Sequence, residues 1–285
     1  IEAGQMFTEF GIHNPMHLHE WAWIDQPVIN SRMFGGDGMR QTGVRIGWLA
    51  PKLGALQPHI HVGAQNPTGE TMKSFLGSDE ALSERARRKG NVNGINDLVY
   101  LVRMDNRLSL GKETMVRAGF SALFGPNATG STGDTQIYGA DLTLEHALSK
   151  QWSARWSNEF MYRTYKAQND LVGDTPSDTL VDHGFYSQVA LDYADKYWIG
   201  FRYERANGSG DEPAREASSD LDLRQRFSPI VGWQFAPGAQ LRLQYNYDKA
   251  DHLNAIDGKE DPSAHAFWAG LGWTFGAGKA HDHKH

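Results

Sequence analysis

Polar and apolar side chains alternate along this chain in segments that are long for β-strands. The clearest segment is 239–250, where Leu241 and Leu243 alternate with Arg242 and Gln244. Alternation of this kind predicts a strand with one apolar and one polar face. Strands of globular proteins run to about 5–6 residues, whereas a tilted strand that crosses a bilayer needs about 9–11. The length of the segments therefore favours strands that cross a membrane.

The same alternation predicts about twelve strands in total. They lie near 1–10, 39–50, 56–65, 96–106, 112–125, 134–146, 151–166, 181–194, 197–206, 221–235, 239–250 and 264–275. Short connections are predicted near 51–55, 107–111, 147–150, 195–196 and 236–238, and longer polar ones at 11–38, 66–95, 126–133, 167–180, 207–220 and 251–263.

Short and long connections alternate strictly in this prediction. Outer-membrane barrels place short turns on the periplasmic side and longer loops outside. A β-sandwich with one wet face shows the same side-chain pattern but gives no reason for alternating loop lengths. The sequence therefore predicts an all-β fold, a transmembrane antiparallel β-barrel over residues 1–275, followed by a His-rich tail at 276–285.

The composition is compatible with such a barrel. Mean hydropathy is −0.55 and the formal net charge is −6, but the inward residues of a barrel are polar, so a low mean is expected. No stretch approaches the roughly 18 apolar residues of a membrane-spanning helix. The absence of cysteine excludes disulfides and thiolate metal sites. The acidic balance argues against nucleic acid as a partner.

Aromatic residues gather near the predicted short turns, all with the outward parity. They are Trp48, Trp152, Tyr193, Tyr197, Trp233, Phe235, Trp273 and Phe275. Trp and Tyr are typical of the level at which a barrel crosses the lipid headgroups. We therefore expect the protein to lie in the bacterial outer membrane. Its outer face should contact outer-membrane lipid and lipopolysaccharide. The pattern leaves open whether the protein is a monomer or a homo-oligomer.

Some residues fit the predicted strands poorly, since polar side chains fall on the outward face at His146, Asn158, Gln225 and His265. Pro229 falls inside the strand at 221–235. Proline cannot donate to a ladder hydrogen bond, and a closed barrel has no free edge to accommodate it. The sequence therefore predicts a bulge or a register change at that point.

Charged residues of both signs follow the inward parity. We predict as pore-lining Arg45, Asp97, Arg103, Asp105, Arg117, Asp141, Glu145, Arg155, Glu159, Arg163, Asp192, Arg202, Glu204, Arg224, Arg226, Arg242 and Asp248. A water-filled channel with such a wall sorts solutes by charge. Eight-stranded barrels fill their own interior, whereas wider ones leave room. Passive diffusion of small polar or ionic solutes is the function we expect; a non-conducting structural or receptor barrel is the alternative.

Catalytic motifs are absent from the sequence. There is no nucleophile elbow, no His-Glu metalloprotease helix and no phosphate-binding loop. We therefore expect no enzymatic activity, although an outer-membrane hydrolase remains a second class of function.

Histidines suggest a weak divalent-metal site. His59 and His61 share one face of a strand about 7 Å apart, and His17 and His19 lie in the first long loop. Imidazole suits Zn and other divalent transition metals. The predicted metal ligands are these four residues, with no other cofactor; the alternative is that they are ordinary lumen and loop histidines.

Several motifs resemble a known family. The matching stretches are 4–11, Asn14-Pro15, His17-x-His19-x-Trp21, Asp25-Gln26-Pro27, 38–45, 48–51 and 242–245. They are similar to Gram-negative outer-membrane proteins loosely related to phosphate-selective porins, some of which are described as metal- or zinc-regulated. In that family the first of these stretches follows several earlier strands. The resemblance therefore implies that the N-terminus is truncated and that the intact barrel has more than twelve strands.

Overall fold

A single antiparallel sheet dominates the computed structural model, which describes residues 1–54, 56–77, 82–169, 175–211, 218–253 and 263–273. Its strands are β1 (Glu2–Phe7), β2 (Arg40–Leu49), β3 (Gln57–Gln65), β4 (Val99–Leu110), β5 (Thr114–Pro126), β6 (Asp134–Ala147), β7 (Trp152–Ala167), β8 (Asp178–Tyr193), β9 (Tyr197–Ser209), β10 (Arg224–Ala236), β11 (Ala239–Ala250) and β12 (Ser263–Trp273). One α-helix, α1 (Val28–Phe34), and 3-10 turns at Leu18–Glu20, Leu82–Glu84 and Ile95–Asp97 complete the described elements.

Each strand pairs with its neighbours in sequence, so the sheet order runs from β1 to β12 without a crossover. Short and long connections alternate as predicted. The predicted fold class and number of strands are thereby confirmed. Among the described residues no ladder joins β1 to β12. The described helices include none that is long and apolar enough to cross a membrane.

The two faces of the sheet differ as the alternation predicts. On β11 the outward Leu243 is 48% exposed, whereas the adjacent inward Gln244 is 3% exposed. Aromatic rings collect on the outer face near the short turns, where Tyr197 stacks on Trp233 with ring centroids 6.5 Å apart. Such a belt is typical of the headgroup level of a barrel. Phe275 and the tail at 276–285 lie outside the described residues.

The sheet encloses an apolar core that the sequence did not predict. Residues 8–39, here called the inserted segment, turn inward between β1 and β2 and carry α1. A second inward loop, residues 66–77, packs beside it. The core consists of Phe10, Val28, Ile29, Met33, Phe34, Met39, Met72 and Phe75 from these two segments and Val99, Leu101, Leu123, Ile137, Met161, Tyr186 and Ala206 from the wall.

The prediction that 11–38 and 66–95 are external polar loops is therefore wrong in part. Apolar inward residues on β4 to β7, such as Leu101 and Ile137, would face water in an empty lumen, and burial against the inserted segment removes them from it. The lumen is consequently not the unobstructed channel that the charge pattern suggested.

Pro229 causes no register change. The β10–β11 register is the same before and after it, with Phe227 opposite Tyr247 and Ile230 opposite Gln244. The irregularity lies instead between Gln234 and Ala236. The predicted bulge at Pro229 is wrong, because the ladder simply lacks partners at residues 228 and 229.

Candidate functional site

The inward wall carries almost all of the predicted pore-lining charges. On this face lie Arg45, Arg103, Asp105, Arg117, Asp141, Glu145, Arg155, Glu159, Arg163, Asp192, Arg202, Glu204, Arg224, Arg226, Arg242 and Asp248. Their exposure varies with depth. Arg163 and Arg202 are at most 1% exposed beneath the inserted segment, whereas the side chains of Arg155 and Glu145 near the short turns are 50% and 41% exposed.

Asp97 lies outside the strands, so its predicted place on the inward wall was wrong. It ends the 3-10 turn Ile95–Asp97, because β4 begins only at Val99. Its carboxylate accepts hydrogen bonds from Lys89 Nζ (2.6 Å) and the Asn93 amide (2.8 Å). The bond from Lys89, followed by that from the Asn93 amide, lowers the pKa of Asp97. It is therefore a loop residue that fixes the conformation of its own turn.

Asp25 fastens the inserted segment to the wall. Its carboxylate accepts from Arg202 Nη2 (2.6 Å), Arg226 Nη1 (2.7 Å), Gln244 Nε2 (2.5 Å) and Asn246 Nδ2 (2.7 Å). Burial by itself would raise the pKa of Asp25, but the two guanidinium groups and these hydrogen bonds lower it below its ordinary value. A carboxylate that meets two cations and two amides is the anchor of the segment.

The start of α1 is held by a second carboxylate. The Val28 amide donates to Glu204 Oε2 at 2.5 Å, and Glu204 Oε1 accepts from Arg202 Nε at 2.7 Å. The first amides of a helix have no partner within the helix and favour a negative charge. Glu204 thus satisfies the helix and neutralises Arg202 at the same time.

Near the other end of α1, a cationic side chain of the helix itself pairs with two buried carboxylates. Arg32 Nη2 donates to Asp222 Oδ1 at 2.5 Å, and Arg32 Nη1 lies 3.5 Å from Asp182 Oδ1. Asp182 in turn accepts from Arg163 Nη2 at 3.2 Å. All of these side chains are at most 4% exposed. The helix is therefore tied to β7, to β8 and to Asp222, two residues before β10, by a buried charge network.

Two wall glycines make room for aromatic rings of the segment. A side chain at Gly139 would lie 2.6 Å from the Phe10 ring, and one at Gly200 would lie 2.9 Å from the Trp23 ring. Trp23 Nε1 also donates to the Ser228 carbonyl at 2.9 Å, in the stretch where the β10–β11 ladder is interrupted. The inserted segment thus supplies one hydrogen bond to the backbone at the ladder gap beside Pro229.

A cavity of about 130 Å³ remains between the inserted segment and the wall near the short turns. The wall contributes Arg117, Glu145 and Arg155, and the segment contributes His13 and Trp21. Burial, assisted by the charge of Arg202, lowers the pKa of His13 to about 3. His13 is therefore neutral near pH 7, and the arginine and glutamate side chains set the charge of the cavity.

The predicted metal ligands separate into two groups. His59 Nδ1 lies 3.2 Å from His61 Nε2 and 3.8 Å from Asp105 Oδ1. His17 and His19 stack on each other with centroids 5.5 Å apart and are not part of this cluster. The structure therefore joins His59 and His61 with Asp105, and the loop histidines do not complete the set.

Comparison with known proteins supports the fold. No family model matches the chain. An uncharacterised protein of Aquifex aeolicus is 24% identical over 219 residues, which are 73% of this chain and 44% of that protein. The chain thus spans less than half the length of this relative.

Solved structures match a larger share of the chain. The outer-membrane channel DcaP of Acinetobacter baumannii matches with a TM-score of 0.56 and 13% identity, covering 96% of this chain and 71% of that one. OmpT, an outer-membrane protein of Vibrio cholerae, matches with a TM-score of 0.51 and 13% identity, covering 95% and 74%. The chain has the fold of a bacterial outer-membrane β-barrel. This fold, with its apolar outer face and aromatic belt, places it in the outer membrane.

Proposed function

We propose that the protein is a porin-like outer-membrane channel for passive diffusion of small polar or ionic solutes, narrowed by the inserted segment. The observation that carries the proposal is the cavity near the short turns. Its wall holds half-exposed charges of both signs, Arg155 and Glu145, with Nε and Oε1 3.2 Å apart. The similar DcaP is described as a channel.

The inserted segment restricts the passage without being part of the wall. It touches the sheet through side chains such as Asp25, Arg32 and Trp23, and the sheet order runs past it without including it. A twelve-stranded wall encloses more space than its own side chains fill. Solutes would therefore pass between the segment and the wall. The distance between the two would limit the size of the largest solute that can pass.

We also propose that the barrel is not an enzyme, because the inward hydroxyls of Ser121 and Tyr186 are engaged in structural hydrogen bonds. Ser121 Oγ accepts from Arg103 and from the Gly11 amide, and the Tyr186 hydroxyl donates to Glu159. Lipid and lipopolysaccharide are the proposed partners of the outer face. A second copy of the chain remains a candidate partner there.

Conductance in planar bilayers tests the proposal. We expect discrete channels, and we expect Arg155→Glu to shift the reversal potential in a salt gradient towards cation selectivity, since it reverses a half-exposed charge at the cavity. Gly36→Ala, at a position where an added Cβ meets no atom within 4 Å, serves as control. A folded protein that carries no current would favour a structural or receptor barrel, and hydrolysis of ester or peptide substrates by such a silent protein would favour the hydrolase.

A further inference from the structure

Three potential metal ligands converge on adjacent strands of the inward wall. His59 and His61 lie on β3, and Asp105 lies opposite His59 on β4. Their ligand atoms all lie within 4.8 Å of one another. His61 is 6% exposed, while the side chains of His59 and Asp105 are 39% and 24% exposed. The cluster is thus built into the wall but can be reached from the lumen.

No assignment of protons satisfies all three groups. His59 Nδ1 faces both His61 Nε2 and Asp105 Oδ1. If His61 donates to His59 Nδ1, the Asp105 carboxylate faces a lone pair. If His59 Nδ1 carries the proton, it can serve only one of the two acceptors well. Asp105 Oδ1 is buried and has no hydrogen-bond partner within the described part of the chain.

A cation among these atoms would satisfy each of them at once. Metal–nitrogen bonds of about 2.0–2.1 Å place two imidazole nitrogens of a tetrahedral site about 3.4 Å apart, close to the 3.2 Å between His59 and His61. Imidazole with carboxylate suits zinc and similar divalent transition metals. Three protein ligands leave a fourth position for water.

The surroundings accommodate such an ion. Both rings lie over Gly47, where an added Cβ would be 3.2 Å from His59 Nε2 and 3.4 Å from His61 Nδ1. Two neighbouring guanidinium groups already have carboxylate partners, since Arg45 pairs with Glu2 and Glu9 and Arg103 with Asp141, while Arg107 lies close enough to interact with Asp105 itself. Gly47 therefore leaves room for the two imidazole rings beside their other nitrogens, and paired arginines oppose a cation less than free ones would.

We propose that His59, His61 and Asp105 form a binding site for a divalent transition-metal cation such as zinc on the lumen wall. The site differs from the one that the sequence predicted, because the carboxylate replaces His17 and His19 as the third ligand. It does not depend on the proposed channel function, since binding can be measured without any current.

The experiment is zinc binding to the full chain folded in detergent, measured by equilibrium dialysis at about pH 7.5. Because a His-rich tract such as His281, His283 and His285 of the tail can also capture metal, the measured quantity is the number of ions per chain. We expect His59→Ala with His61→Ala to abolish one equivalent. Asp105→Asn should raise its Kd at least tenfold, since even an outer partner of a metal ligand is worth about 10–100-fold.

The matched control is His17→Ala with His19→Ala, which should leave every equivalent in place. Heat-dependent gel mobility shows that each variant is folded, so that loss of zinc is not loss of the barrel. The proposal is overturned if the His59, His61 double variant retains all of its zinc, or if deletion from Lys279 onward removes all of it.

Discussion

The Asp25 carboxylate of the inserted segment lies 2.6 Å from the guanidinium Nη2 of Arg202 on β9, although 177 residues separate the two in sequence. Arg202 is 1% exposed and also pairs with Glu204. Burial of a guanidinium group costs free energy unless a carboxylate pairs with it. The pair is therefore one of the contacts through which the interior segment and the wall stabilise each other.

Removal of this anchor should widen the passage. Asp25→Ala leaves Arg202 and Arg226 without a shared carboxylate. Loss of one partner of a buried ion pair costs about 3–5 kcal/mol, and we expect the lower end because Arg202 keeps Glu204 and Arg226 keeps Asp248. Single-channel conductance should rise and become noisier. The control is Asp97→Asn, which breaks a loop ion pair with Lys89 and should leave the conductance unchanged.

The anchor also predicts a response to acid. The folded pKa of Asp25 lies below its ordinary value of 3.8, so the pair contributes its full stability above that value and loses it as the pH falls below it. Arg202, Arg226, Gln244 and Asn246 face the carboxylate. The part of the conductance that depends on Asp25 should be constant between about pH 7 and pH 5 and should rise only below pH 3.8. Asp25→Asn should lack that rise; an identical acid response in both proteins would assign it to another carboxylate.

Close packing of the segment predicts a glycine requirement on β6. Gly139→Ala places a methyl group 2.6 Å from the Phe10 ring. Phe10 is 0% exposed and belongs to the apolar core, so the ring must move. Overpacking of this kind costs about 1–3 kcal/mol. Urea unfolding of the protein in lipid vesicles should show the loss, whereas Gly36→Ala, with open space around it, should unfold like the wild type.

The outer architecture follows from the sequence because a strand has a side-chain period of two. Polar residues at Arg242 and Gln244 between apolar ones at Leu241 and Leu243 predict both the strand and its two faces. The lipid solvent enforces this pattern on every strand, so local sequence is sufficient. The ends of strands are less well determined, which is why Asp97 was placed on β4.

The interior could not be predicted in the same way. Whether a long loop lies outside or folds inward depends on contacts between residues far apart in sequence, such as those of Asp25 and Trp23 with β9 and β10. A signal was present in the apolar cluster of 28–39 and in the inward apolar residues of β4 to β7, for example Leu101. Neither set by itself predicts the interior. Only their combination indicates that the apolar residues of the segment pack against those of the wall.

The assignment of faces can be tested on β8 with two adjacent residues. Val189 points outward and is 43% exposed, whereas Gln188 lines the cavity. An arginine on the lipid face costs about 2–4 kcal/mol near the midplane, while a lumen substitution mainly changes selectivity. Val189→Arg should therefore fold poorly into liposomes and Gln188→Arg should fold well. Gln244 is a worse inward partner for this comparison, because it is hydrogen bonded to Asp25 and the Ile24 amide.

Equal folding yields of the two β8 variants would contradict the assignment of faces. The comparison is independent of the interior, since the cavity beside Gln188 gives the longer side chain room. Leu243→Arg, on the outward face of β11 and 48% exposed, should behave like Val189→Arg.

Zinc should block the channel if the metal site and the passage both exist. His59, His61 and Asp105 lie on the inward wall, faced by Glu9, Arg45, Arg103 and Arg107. A bound divalent cation adds positive charge to a narrow lumen and should reduce the current carried by cations. Neutral imidazole is the metal ligand, so protons compete with zinc as the pH falls. Micromolar zinc should thus reduce single-channel current at about pH 7.5 and much less at about pH 5.5.

The His59→Ala, His61→Ala variant should conduct equally with and without zinc, while His17→Ala with His19→Ala should remain sensitive. Block that persists in the first variant and disappears on deletion from Lys279 onward would assign the inhibitory metal to the tail.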